Sequence, residues 1–215
     1  PEDLFSFKTI ESPSEGLYRE KGSRFLAFAY PVRTEADIRQ YLSTLQKKYF
    51  DARHHCYAWM LGPGGKSYRA FDDGEPNHSA GDPILGQIRS KGITDVLVVV
   101  VRYFGGVKLG VGGLISAYRT AADGALSRAR VIEKEVTGVL GLSYAYASTP
   151  EAMRLVKEFD LNIVSQQFEA GCFLKARYRL RDEAPLVERM DLMKATGTDL
   201  SYELLPSNEG SDEVT

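Results

Sequence analysis

The stretch Arg102-Tyr103-Phe104-Gly105-Gly106-Val107-Lys108-Leu109-Gly110-Val111-Gly112-Gly113 holds two cations and five glycines in twelve residues. It follows the apolar run Val96 to Val101 and precedes a helical pattern from about Leu114 to Ala129. Glycine lets a ligand approach the backbone closely and lets amide N–H groups turn inward, and a helix N-terminus favours an anion. The chemistry would be capture of an oxyanion, a phosphate or an RNA backbone by Arg102, Tyr103, Gly105, Gly106, Lys108, Gly110, Gly112 and Gly113. Tight turns against a sheet need the same glycines, and spacing does not separate the two. Ile115 stands where a dinucleotide fingerprint needs its third glycine.

A second cluster is acidic. Asp72, Asp73 and Glu75 lie on a loop stiffened by Gly74 and Pro76, with His78 just beyond. Such carboxylates suit Mg²⁺ or general-base work on water, with His78 the better acid–base candidate. The same residues also suit a turn that hydrogen-bonds its own backbone and pairs with Arg102 or Lys108, the commoner outcome. His54, His55 and Cys56 do not have zinc-ligand spacing, no CxxC occurs, and a buried inert thiol is expected at Cys56. Neither a metal nor a cofactor is expected. Gly62 to Ser67 ends like a phosphate loop, but Met60 stands where that motif needs glycine and a strand follows.

The third cluster follows from alternation. Lys175, Arg177, Arg179 and Arg181 occupy alternate positions of one expected strand, Cys172–Arg181, and so share a face. Val139, Ser143, Ser165 and Gln167 should flank them, with Glu169 and Asp199 near the edges. A basic stripe on an open sheet suits a phosphate backbone. Without outward aromatics its RNA binding would be weakly sequence-specific. A solvated face paired with Glu169 and Asp199, or a surface docking the first domain, stays open.

The elements that must position these residues form two sets. In the first, strands are expected at Phe5–Glu11, Ser23–Ala29, His55–Leu61, Tyr68–Phe71 and Val96–Val101. Helices are expected at Glu35–Tyr49, capped by Thr34, at Pro83–Ser90, capped by Asp82, and at Leu114–Ala129. From about residue 134 the order becomes strand, helix, strand, strand, helix, strand, the ferredoxin-like βαββαβ arrangement. The expected domains are 1–133 and 134–205, followed by an acidic tail, 206–215.

Composition bounds the rest. With 215 residues, 43% hydrophobic and 26% charged, the chain is neither disordered nor collagen-like. Lys+Arg of 27 against Asp+Glu of 29 leaves net −2, so any nucleic acid must be held by a local patch. Two cysteines suit reduced thiols. No apolar run approaches the roughly 18 residues of a membrane span, and no leader opens the sequence. A cytoplasmic location without membrane contact is expected.

The runs Asp72-Asp73-Gly74-Glu75-Pro76, Ala80-Gly81-Asp82-Pro83-Ile84-Leu85 and Arg102 to Leu114, with His54-His55-Cys56-Tyr57-Ala58 and Ala117-Tyr118, resemble the YigZ/IMPACT family over residues 20–130. The resemblance implies an α+β protein: an N-terminal α/β sandwich like the second domain of a small-subunit ribosomal protein, then a domain like a late domain of elongation factor G. It also implies a link to translation, because eukaryotic relatives restrain an activator of a starvation-responsive translation kinase. The sequence departs from the family at His78-Ser79, usually Gly-Thr, and at Ser116, often Arg. The expected function is a regulatory or binding protein contacting RNA, the ribosome or a translation-regulating protein. The alternative is a metal-assisted hydrolase of a phosphorylated substrate, and whether the chain is an enzyme at all stays open.

Overall fold

A computed structural model describes residues 5–168 and 171–205, so the expected acidic tail and Glu169 lie outside the described residues. By its contacts the chain divides into two compact units, residues 6–134 and the remainder.

The first unit contains β1 (Ser6–Ile10), β2 (Ser14–Glu20), β3 (Ser23–Pro31), α1 (Glu35–Lys48), β4 (His54–Leu61), β5 (Ser67–Phe71), α2 (Gly81–Ser90), β6 (Val96–Tyr103) and α3 (Gly110–Arg128). β7 (Val131–Glu135) pairs with β1 in a small two-stranded sheet at its end. The main sheet is antiparallel in the order β2-β3-β6-β4-β5. Central β6 is apolar on both sides because both sides are covered. Val96, Val98 and Val100 join the cluster under α2 and α3, while Leu97, Val99 and Val101 join the one under α1.

Each helix starts for a local reason. Thr34 caps α1 as expected: its hydroxyl accepts the Asp37 N–H at 3.1 Å, and the Asp37 carboxylate accepts the Thr34 N–H at 3.0 Å. For α2 the expected Asp82 cap is wrong. Ala80 holds the cap position with no side-chain bond of its own, and Asp72, at the start of the same β5–α2 connection, supplies the missing acceptor. α3 begins at Gly110, so the last glycines of the loop are its first turn.

Two strands escape the sequence pattern. β2 has only weak alternation, with Leu17 exposed, and it lies hard against α3. A Cβ on Gly16 would come within 2.7 Å of the Ala125 backbone nitrogen. β7 is short and half-exposed.

The second unit contains β8 (Thr137–Tyr144), α4 (Thr149–Glu158), β9 (Asn162–Gln167), β10 (Cys172–Arg179), α5 (Glu183–Ala195) and β11 (Leu200–Leu205). This is the βαββαβ order expected, in an antiparallel sheet ordered β11-β8-β10-β9. Leu140, Leu142, Leu174 and Ala176 meet Ala152, Leu155, Leu186 and Met190 from the helices, making one buried core. β9 is exposed along its whole length, and a bulge breaks its register with β10 at Lys175/Ala176. Five helices and three sheets thus give a mixed α/β protein among the described residues. None of those helices is long and apolar enough to cross a membrane.

Candidate functional site

Strand parity decides the fate of Arg102. It follows Val96, Val98 and Val100 on the side of β6 that faces α2 and α3, so its guanidinium enters a buried layer. Register places Phe25 of β3 and His54 of β4 directly beside it. Within that layer Arg102 Nη1 donates to Glu75 Oε1 at 2.5 Å, and the Tyr118 hydroxyl of α3 donates to the same oxygen at 2.7 Å. Cys56 Sγ donates to Tyr118 Oη at 3.3 Å and lies 3.0 Å from the Asp72 carbonyl. The guanidinium also lies 5.5 Å from the Phe25 ring centroid and 5.7 Å from that of Phe104. Burial pushes the Cys56 thiol and the Tyr118 phenol far above their ordinary pKa, so both stay protonated and neither is a nucleophile.

The remaining acidic-loop residues have structural duties. Asp72 Oδ1 accepts the N–H groups of Ala80 and Gly81, and Oδ2 accepts that of His78. Asp73 accepts the His55 N–H at 2.7 Å. His78 sits at φ +63°, where a glycine would be unstrained, and its ring pairs with Asp82 at 2.5 Å. His54 and Cys56 share one face of β4 while His55 turns to the other, where its Nε2 meets the Tyr49 carbonyl. No group of three or more His, Cys, Asp and Glu side chains among the described residues has the geometry of a metal site.

The expected anion cradle is divided. Arg102 is committed to Glu75, and Tyr103 points to the opposite face, donating to Asp51 at 2.7 Å with Arg24 stacked over its ring. Gly105 is glycine for packing, since a Cβ there would fall 1.9 Å from the Gly22 carbonyl carbon. Gly106 and Gly110 have positive φ. Gly112 has neither constraint. Lys108 and Gly112 are exposed at the start of α3, which has no side-chain cap.

On β10, Lys175, Arg177 and Arg179 share a face with Val139 and Ser143 of β8 and with Ser165 and Gln167 of β9, as expected. Two corrections follow from register. Arg181 lies beyond the strand in a 3-10 turn, paired with Glu135. Phe173 lies on the basic face, which therefore carries an aromatic ring. Its Cζ would be 3.3 Å from a Cβ on Gly141, and Glu203 fills the space on the other side. Arg179 pairs with Asp182 at 2.7 Å, whereas Lys175 has no ion-pair partner among the described residues. Phe173 was legible from its even spacing to Lys175. Tyr118 was not, because nothing in a helix sequence marks a phenol that meets a distant carboxylate.

Residues 21–126 match the Impact N-terminal domain. The chain is 34% identical over 143 residues to the IMPACT family member YvyE of Bacillus subtilis, covering 66% of each protein. It is 32% identical over 157 residues to the IMPACT family member YigZ of Escherichia coli, covering 72% of this chain and 77% of that one. The chain belongs to the IMPACT family. A crystal structure described as a hypothetical protein superposes with a TM-score of 0.74 at 25% identity, over 94% of this chain and 98% of that one. The match to the Impact domain spans β3 to α3 and contains every member of the Arg102–Glu75–Tyr118–Cys56 network.

Arg102→Met in this IMPACT family member strands a buried carboxylate and should cost about 3–5 kcal/mol in urea unfolding. Glu75→Gln should cost less when Arg102 is already Met, and strict additivity would show that the two do not act as a pair. Gly105→Ala should destabilise by about 3 kcal/mol. Gly112→Ala should instead raise stability by roughly 0.5–1 kcal/mol in the same assay.

Proposed function

We propose that the protein is a cytoplasmic regulatory or binding protein associated with translation, contacting RNA backbone on the ribosome or elsewhere, and that it is not a hydrolase. The observation that carries this reading is the Phe173-Lys175-Arg177-Arg179 row on the side of the second unit's sheet away from α4 and α5. Cations at alternate strand positions suit successive phosphates, and a ring in the same row offers one base a stacking surface. The family resemblance supports the association with translation. In the same reading, the first unit is like the second domain of a small-subunit ribosomal protein and the second like a late domain of elongation factor G. The hydrolase alternative is disfavoured because Asp72, Asp73 and Glu75 are already engaged by backbone N–H groups and by Arg102.

The uncapped start of α3 with Lys108 is a second candidate contact for the backbone. A protein partner among translation factors would need neither this feature nor the basic row.

The test is binding to ribosomal subunits and to a single-stranded RNA across a salt series. About three phosphate contacts at ~0.7 each predict a log K against log salt slope near −2. Lys175→Glu with Arg177→Glu should abolish binding, and Phe173→Ala should weaken the single strand more than a duplex. Absence of binding at low salt, or binding indifferent to the double variant, sinks RNA contact by this face and leaves a protein partner.

A further inference from the structure

A cleft of about 410 Å³ in the first unit lies apart from the buried arginine network and from the glycine loop. Its walls come from β1, the β3–α1 connection, α1, the residue preceding β6, and β7. The volume is at the small end of the ~300–1,000 Å³ usual for small-molecule sites.

Most of the charges around the cleft are already engaged. Asp37 is occupied as the acceptor of the α1 capping box and also takes the Arg33 N–H. Glu11 pairs with Arg130 at 3.2 Å. Arg33 is engaged as well, which leaves Asp95 and Lys134, two groups of opposite sign. Asp95 is half-buried and held in the left-handed region at φ +53°. Its carbonyl accepts from Val32 N–H and the Thr9 hydroxyl, and its Oδ1 accepts from Gly62 N–H at 2.8 Å. Its Oδ2 has no hydrogen-bond donor among the described residues. Lys134 is half-buried on β7 and forms no ion pair among the described residues. Burial raises the Asp95 pKa, while the Gly62 N–H, Lys134 and Arg33 each favour its carboxylate form.

The Gln40 amide and the Tyr41 ring line the same cleft. Tyr41 is held by stacking on Tyr30, centroids 4.0 Å apart and planes at 14°. A lone anion entering here would meet three carboxylates, and a lone cation would meet Lys134 and Arg33. A molecule carrying both charges offers a partner to Asp95 and to Lys134.

We infer that this cleft binds a small zwitterion of amino-acid or dipeptide size. Its ammonium donates to Asp95 Oδ2, its carboxylate accepts from Lys134, and its body lies on Tyr41 beside Gln40. This does not depend on the RNA contact proposed above.

The experiment is NMR titration of the ¹⁵N-labelled full chain. The probes are the twenty free amino acids and glycylglycine, with acetate, methylamine and inorganic phosphate as single-charge probes. At least one zwitterion should shift the amides of Arg33, Asp37 and Asp95, and bind at least about tenfold more tightly than any single-charge probe. Asp95→Asn keeps the left-handed backbone and the acceptor for Gly62, and Lys134→Met keeps the packing stem. Each should weaken the zwitterion by about tenfold or more, as expected for truncating one side of a charge pair. Three results overturn the inference: no shift at these amides with any zwitterion, acetate or phosphate binding as tightly as the zwitterions, or binding that both variants leave unchanged.

Discussion

One guanidinium organises the first unit. Arg102 sits in a layer otherwise built from Val96, Val98, Val100 and Phe25, where an isolated charge would be heavily penalised. Glu75 must therefore reach it, and that requirement fixes the course of the acidic loop. The loop is then near enough for Asp72 to cap α2 and for Asp73 to hold the start of β4. Tyr118 adds α3 to the same oxygen. Four elements are thus tied to a single ion pair, and the Impact-domain segment is the stretch of chain that contains them. A buried pair of this kind is weak evidence for added stability and better evidence for a specified arrangement, since alternative packings would leave one charge unpaired.

The second unit puts its charge elsewhere. Its core on the helix side is mostly apolar, with the Tyr144 and Tyr178 rings among the aliphatic side chains, and its cations lie on the opposite face of β10. Arg179 and Arg181 are held by Asp182 and Glu135. Arg177 is engaged too, whereas Lys175, in the same row as Phe173, has no ion-pair partner among the described residues. The same residue types therefore support opposite functional conclusions in the two units: inward and neutralised in one, outward and partly uncompensated in the other.

How much of this was legible depends on whether the signal was local. The six-residue run Val96 to Val101 marked a strand covered on both faces, and continuing its parity by one step would have sent Arg102 inward. Grouping Arg102 with Tyr103 and Lys108 followed chain proximity where alternation should have ruled. Thr34 and Asp37 announced α1 because a capping box is complete within four residues. Asp82 misled because the acceptor for α2 comes from Asp72, ten residues earlier and across a turn. Gly110 to Gly113 read as loop because glycine disfavours helix, yet α3 is long enough to extend through them. Asp95 and Lys134 carried no signal at all, since only the packing of β1 and β7 beside α1 brings them to one cleft.

The bulge between β9 and β10 has a consequence for how copies of the protein behave in company. Among the described residues β9 has no strand on its outer edge, and Ile163 and Val164 are exposed. A regular edge of that kind is a template for a neighbour's strand and so for linear polymers. The slip in register at Lys175/Ala176 bends β9 and interrupts its hydrogen-bonding repeat midway. A foreign strand can follow only half of it. The defect in the ladder thus acts as a guard, and it lets a small sheet keep one face open without inviting its own kind to extend it.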